Sequence, residues 1–210
     1  MIRVLIVDDH AVVREGLKRI LELRGDISVT GEAGSQDEVL SKIRSGTFDI
    51  VVLDLALGKD HGIGVLKHIR SEQPKLPVLI LSMQPEEHYA SRLLKAGAAG
   101  YLSKESAPAE LVNAVLKVSS GGRYVSPAIA ERLAFDIGTP TTDTPHERLS
   151  DREFQILSLI AAGKPPRDIA AELNVSVKTV GTHRARILAK MGLKNNAEIV
   201  QYAIEHGLLP

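Results

Sequence analysis

The chain has 210 residues, 44% hydrophobic and 25% charged, with 26 basic side chains against 26 acidic ones. This is a globular composition, too apolar for a disordered chain and too balanced for a uniformly basic nucleic-acid coat. No cysteine is present, which excludes a disulfide framework, a thiol nucleophile and a cysteine-ligated zinc, and no apolar run approaches the roughly 18 residues of a membrane helix.

In chain order, the first 120 residues alternate short β-branched runs with longer amphipathic stretches. Strands are predicted over 3–7, 27–32, 50–53, 78–81 and 100–102, and helices over 12–23, 36–45, 63–71, 86–96 and 109–119. Strand followed by helix, repeated five times, calls for a doubly wound α/β domain. Its parallel sheet has five strands and is covered on both faces by right-handed crossovers. The unbroken apolar runs Val4-Leu5-Ile6-Val7 and Ile50-Val51-Val52-Leu53 suit strands buried on both sides. After Gly121-Gly122 the pattern changes. A short helix is expected over 127–135, and 138–146, rich in Thr, Pro and Asp, reads as linker. From Leu149 onward the spacing is helical, in four segments: Phe154, Leu157 and Ile160; Ile169, Ala170 and Leu173; Val180, Ile187 and Met191; Ile199, Val200, Ala203 and Ile204. The expected organisation is a domain over 1–120, a short helix and linker over 121–148, and an all-α four-helix domain over 149–210. No signal-length apolar segment follows Met1-Ile2-Arg3, so a soluble cytoplasmic protein without a membrane partner is expected.

In an open parallel sheet, reactive groups collect outside the carboxyl ends of the strands. Asp8 and Asp9 follow the first predicted strand, Asp54 the third, Ser82 the fourth and Lys104 the fifth. Taken singly, each has an ordinary explanation: an Asp after a strand commonly caps a helix, and a lone Lys is commonly a solvated charge. Taken together they are three carboxylates, a hydroxyl and an ammonium at neighbouring strand ends. The carboxylates would repel one another, and a hard oxygen-seeking cation such as Mg²⁺ would relieve that repulsion and polarise an incoming phosphoryl group. The set suits phosphoryl transfer to a carboxylate.

These segments resemble the receiver domain of two-component response regulators. Ile6-Val7-Asp8-Asp9-His10 resembles its acidic pair, Val52-Leu53-Asp54-Leu55 its phosphoacceptor strand, and Gly97-Ala98-Ala99-Gly100-Tyr101-Leu102-Ser103-Lys104 its lysine segment. The resemblance implies phosphorylation of Asp54, Mg²⁺ held by Asp8, Asp9, Asp54 and the Ala56 carbonyl, phosphoryl contacts from Ser82 and Lys104, and Tyr101 as aromatic switch. One departure stands out: Gly58-Lys59-Asp60-His61-Gly62 replaces the proline-containing loop common in receivers, which bears on phosphoryl lifetime.

The charge balance of the whole conceals a local excess. Between Leu173 and Ala197 lie Lys178, Arg184, Arg186, Lys190 and Lys194, with no acid. Helix, short turn and helix over 167–173 and 177–191 have helix-turn-helix spacing, with Ser176 as the expected N-cap of the second helix. Such a helix enters a major groove by its N-terminal part, which makes Lys178, Thr179, Thr182, His183, Arg184 and Arg186 the candidate DNA contacts. The matching residues Leu149-Ser150-Asp151-Arg152-Glu153, Ser176-Val177-Lys178-Thr179-Val180 with His183, and Lys190-Met191-Gly192-Leu193 resemble the LuxR-type DNA-binding domain. Pro165-Pro166 stands where that family has a Ser or Thr cap, and Gly181 lies inside the recognition helix.

The two resemblances together are to the NarL/FixJ class of response regulators. They imply a DNA-binding regulator rather than an enzyme, with a sensor histidine kinase, double-stranded DNA carrying paired half-sites, a second copy of the chain and RNA polymerase as partners. Two other readings stand beside it. One is a phosphorylation-independent DNA binder whose receiver is a dimerisation scaffold. The other is an aspartyl phosphatase with a helical cap, which Ala56 disfavours because such enzymes carry a second Asp two residues after the nucleophile.

Overall fold

The computed structural model describes residues 1–57, 60–83, 86–127, 129–131 and 144–208, with the backbone alone at 60, 61, 87 and 88. The chain divides into two compact units, Met1–Phe135 and Asp136–Pro210.

In the first unit β1 (Ile2–Val7), α1 (Ala11–Glu22), β2 (Ile27–Ala33), α2 (Gln36–Ser45) and β3 (Ile50–Asp54) follow one another. A two-residue pair, β4 (Ala56–Leu57) and β5 (Asp60–His61), precedes α3 (Gly62–Glu72), β6 (Val78–Ser82), α4 (Glu86–Lys95), β7 (Gly100–Ser103) and α5 (Pro108–Ser119). The five long strands form one parallel sheet in the order β2-β1-β3-β6-β7, as expected of a doubly wound fold. The chain reverses its winding between β1 and β3, so the switch point falls at the carboxyl ends of those two strands.

Side chains alternate across the sheet and divide the core in two. Val4, Ile6, Ile50, Val52, Leu79 and Leu81 join Leu21 of α1 and Leu111, Ala114, Val115 and Val118 of α5 in one apolar cluster. Leu5, Val7, Val51, Leu53 and Ile80 are buried as well, as are Val39 and Ile43 of α2, Val65, Leu66 and Ile69 of α3, and Ala90 and Leu93 of α4. The residue after Asp54 does not run straight into a loop. Ala56 and Leu57 pair antiparallel with His61 and Asp60, which returns the chain sharply to α3.

Gly62 makes that return possible. A Cβ there would lie 2.5 Å from Leu55 Cα and 2.9 Å from the Asp54 carbonyl oxygen, backbone atoms that cannot rotate away. The expected helix over 127–135 is helical at 127 and 129–131. Its remainder, linker residues 138–143, and Gly58 and Lys59 lie outside the described residues.

The second unit begins with a 3-10 turn, Pro145–Arg148, so the end of the expected linker is folded. His146 Nδ1 lies 2.8 Å from the Tyr202 hydroxyl and ties this turn to the last helix. Four helices follow: α6 (Asp151–Ala161), α7 (Pro166–Glu172), α8 (Val177–Met191) and α9 (Asn196–Glu205). Each end reads from local chemistry. Ser150 and Glu153 form a capping box on α6, Ser176 accepts from Thr179 N on α8, and Asn195 accepts from Glu198 N on α9. Helix α7 has no side-chain cap and starts on Pro166, the consequence expected of Pro165-Pro166. Gly192, at φ 69°, closes α8 with a left-handed turn in which Leu193 N donates to Leu188 O. Phe154, Leu157, Ile160, Ile169, Val180, Ile187, Met191, Ile199 and Ala203 are buried. Ile204, expected among the apolar positions of α9, is instead 61% exposed: it falls on the outer side of the helix.

Candidate phosphoryl site and nucleic-acid interface

The first unit gathers its titratable groups at the switch point. Asp8 follows β1, Asp54 ends β3, Ser82 ends β6 and Lys104 follows β7. Lys104 Nζ donates to Asp8 Oδ2 at 2.7 Å and to Asp54 Oδ2 at 2.8 Å, so one ammonium joins two carboxylates that are 1% and 3% exposed. The second oxygen of each carboxylate is occupied by backbone: Asp54 Oδ1 accepts from Ala56 N at 3.1 Å, and Asp8 Oδ1 from His10 N at 2.8 Å. Asp8 and Asp9 do not cap α1, whose N-cap is His10 and carries no side-chain cap bond. The Asp8–His10 bond is an Asx-type turn that aims the carboxyl group at the sheet end instead.

Two carboxylates against one ammonium leave this buried centre with a net negative charge. Burial is the chief cause that pushes the Asp54 carboxyl above its ordinary range, and the neighbouring Asp8 charge acts in the same direction against Lys104. Burial would lower the Lys104 ammonium, but its bonds to Asp54 and Asp8 outweigh burial and raise it. A centre that draws protons toward both of its groups is one that a divalent cation would stabilise. Ligand atoms of Asp8, Asp9 and His10 lie within 4.8 Å of one another at its mouth, with His10 Nδ1 2.8 Å from Asp9 Oδ1. The oxygen donors of Asp8, Asp9 and Asp54 match a hard cation, so the residues present fit Mg²⁺.

Ser82 is buried, its carbonyl accepts from Lys104 N at 2.9 Å, and its side chain is hydrogen-bonded to Tyr101. Tyr101 is 1% exposed, and burial drives its hydroxyl well above the usual range. The four strand-end groups and Tyr101 therefore form one connected set, as their order in the sequence leads one to expect. Arg14, which belongs to none of the strand-end motifs, also reaches the site. From the first turns of α1 its Nη1 donates to the Asp8 carbonyl at 2.7 Å while Nε donates to Glu32 Oε2 at 3.1 Å. The available signal was a cation six residues after Asp8 in a helix whose first turn holds no acid.

In the second unit Val180, Ile187 and Met191 face the core, so α8 turns the opposite side outward. Lys178, Thr182 and Arg186 are exposed on it. Thr182 Oγ1 donates to Lys178 O, Thr179 is bonded to Ser176, and Arg184 Nε donates to Asn196 Oδ1 at the start of α9. His183 differs from its neighbours. It is half-buried with Nδ1 enclosed and without a hydrogen-bond partner, and burial together with Arg152 and Arg186 lowers its imidazole. The turn before α8 depends on Asn174, at φ 50° the one non-glycine residue with positive φ among the described residues. Arg152 Nη2 holds that turn by donating to Leu173 O at 2.8 Å. Lys190 Nζ donates at 2.6 Å to the buried carboxyl of Glu153, a bond between α8 and α6 that no spacing in the sequence announces.

Known proteins resemble the chain over both units. The family described as response regulator receiver domain matches residues 4–116, and that described as bacterial regulatory proteins, luxR family, matches residues 147–203. The chain is 37% identical over 209 residues to the response regulator UvrY of Escherichia coli K12, covering 99% of this chain and 96% of that one. It is 37% identical to the response regulator GacA of Pseudomonas protegens, covering 100% and 98%. Among solved structures, RcsB from Salmonella enterica serovar Typhimurium, bound to promoter P1flhDC in the presence of the phosphomimetic BeF3-, is 26% identical at a TM-score of 0.64, covering 96% of this chain and 97% of that one.

Proposed function

Because the chain belongs to the response regulators, with a receiver domain and a luxR-family regulatory domain, we propose that it controls transcription through phosphorylation of Asp54. The observation that carries the reading is the Asp8–Lys104–Asp54 bridge at the switch point of the sheet. An Asp54 carboxylate oxygen attacks the phosphorus of a phosphohistidine on a sensor histidine kinase; the P–O bond forms as the P–N bond breaks, and the imidazole leaves. Lys104 keeps its charge because two carboxylates raise it, and it is freed to pair with a phosphoryl oxygen; Ser82 Oγ donates to another. Asp8, Asp9, Asp54 and the Ala56 carbonyl would hold Mg²⁺, which when bound supplies charge neutralisation of the incoming phosphoryl oxygens.

Tyr101 answers the altered Ser82 and biases the receiver between two states. One of these favours a homodimer that sets two recognition helices on paired half-sites, where RNA polymerase is recruited or excluded. On α8, Lys178, Thr179, Arg184 and Arg186 contact phosphates and Thr182 faces base edges, while His183, enclosed behind them, sets the seat of the helix against the phosphate backbone. The RcsB structure, with promoter DNA and a phosphomimetic together, supports this reading. Incubation with a small phosphodonor and Mg²⁺ tests it. Wild type is expected to take up acid-labile phosphate and to bind promoter DNA more tightly, and Asp54→Asn to do neither. Uptake that survives Asp54→Asn refutes the site. DNA binding indifferent to uptake favours the phosphorylation-independent scaffold.

A further inference from the structure

Beyond the last helix of the receiver sheet, the chain turns back along the edge strand. Tyr124 forms a parallel bridge with Gly100 of β7: Tyr124 N donates to Ala99 O at 3.2 Å, and Tyr101 N donates to Tyr124 O at 2.8 Å. Two residues on, Ser126 N donates to Glu86 Oε1 at 2.9 Å, at the start of α4. Ser126 also organises the next turn. Its Oγ accepts from Ile129 N and its carbonyl from Ala130 N, and Ile129 is buried. Gly100 is what admits the segment, since a Cβ there would lie 2.6 Å from Tyr124 O.

The grips are placed unevenly with respect to the phosphoryl site. Two hold the backbone around Tyr101, whose hydroxyl is bonded to Ser82; the third holds Glu86, four residues beyond Ser82. We infer that residues 122–126 form a strap that closes the edge of the receiver sheet in the unphosphorylated chain and is released when Ser82 turns to a phosphoryl group on Asp54. The inference rests on the reading of Asp54 given above.

The physical reason is that the strap spans two elements that answer to one hydroxyl. A Ser82 that donates to a phosphoryl oxygen changes its bond with Tyr101 and draws the β6–α4 connection with it. The strap's bonds to β7 and to α4 cannot then all keep their lengths. Of the three bonds, only that of Ser126 N is anchored on α4 rather than on β7, so it is the one that a displacement of α4 stretches directly. With Ser126 released, the turn that buries Ile129 loses its cap. About ten residues then pass from the receiver to the segment before Thr144, adding up to roughly 33 Å of contour. A longer tether lowers the concentration of one domain about the other and widens the span over which two copies can reach paired half-sites.

Amide hydrogen exchange of the full-length protein, with and without acetyl phosphate and Mg²⁺, tests the strap while acid-labile phosphate is measured on the same sample. The expected result is that the Tyr124 and Ser126 amides exchange about tenfold faster or more once phosphate is taken up. In Glu86→Ala the Ser126 amide is expected to exchange about tenfold faster without any phosphodonor, with phosphate uptake unchanged. Glu86→Gln, which keeps an acceptor but not the charge, is expected to fall between. Uptake without any change in exchange at 124 and 126 overturns the strap and leaves the phosphorylation reading standing. Absence of uptake in wild type overturns the phosphorylation reading, and the switch with it. A Ser126 amide in Glu86→Ala and Glu86→Gln as protected as in wild type also overturns it.

Discussion

Asp8 owes its direction to backbone as much as to its own side chain. Its N–H donates to Ala33 O at 3.1 Å, its carbonyl accepts from Arg14, and its carboxyl accepts from His10 N. Arg14 is thus a positioning residue for the acidic pocket. Arg14→Met keeps the aliphatic stem and removes the fork, so the Mg²⁺ affinity of the unphosphorylated chain is expected to fall about tenfold, with little change in melting temperature. Calorimetric titration with Mg²⁺ checks it, and unchanged affinity refutes the role. Gly62 is constrained from the other side of the same site. Gly62→Ala forces a methyl group against Leu55 Cα and is expected to cost about 1–3 kcal/mol in denaturant unfolding and to slow phosphate uptake at Asp54.

At the scale of the element, α8 presents its outer face because its inner face is anchored on α6 and α7. Part of that anchor is apolar, through Val180, Ile187 and Met191, and part is the Lys190–Glu153 bond. Burial would raise the Glu153 carboxyl, but Lys190 and the Ser150 backbone and hydroxyl more than offset it, so it lies below the ordinary range. A carboxyl lowered on folding contributes stability above its unfolded value and loses it as pH falls through the lowered one. Glu153→Gln keeps an acceptor for Ser150 N but loses the ion pair, at an expected cost of about 1–2 kcal/mol. Thermal melts of wild type and variant should differ at neutral pH and draw together as pH falls below the ordinary glutamate value of about 4.3; a difference independent of pH assigns the cost to packing instead. On the outer face, Arg186→Ala is expected to weaken binding to all DNA sequences alike and to lower the salt slope by about one unit, whereas Thr182→Ala should act on one base position. Salt titrations against two unrelated sequences distinguish the two.

For the whole molecule, the proposed reading makes phosphate on Asp54 act on DNA binding through the chain that joins the units. The second unit has its own core and its own cap, and its opening turn is tied to α9 through His146 and Tyr202. A chain beginning at Thr144 keeps that bond and is expected to fold and to bind DNA. Sixty-odd residues with one recognition helix do not span a paired site, so it is expected to bind one operator more weakly than the phosphorylated full-length chain. Titration of both against the same DNA checks this. A truncated chain that binds as tightly or more tightly means that the receiver acts by masking α8 rather than by pairing it.

Alternation of strand and helix, continuous apolar runs at Val4–Val7 and Ile50–Leu53, and caps such as Ser176 act over a few residues. The fold class, the helix ends and the positions of Asp54 and Lys104 were therefore legible from residue order alone. Strand-end residues of a parallel sheet meet wherever the winding reverses, so Asp8, Asp54, Ser82 and Lys104 were legible as a set before any distance was known. The pairing of Ala56 and Leu57 with Asp60 and His61, the reach of Arg14 to the Asp8 carbonyl, the Glu153–Lys190 bond across 37 residues and the return of Tyr124 to β7 were not. These contacts follow from which surfaces meet once the layers have packed. A polar side chain chooses its partner by distance in space, and residue order carries no period that announces it. Ile204 shows the same limit in reverse: its spacing marks it as apolar-facing, and only the position of α9 against α6 decided that this side of the helix looks outward.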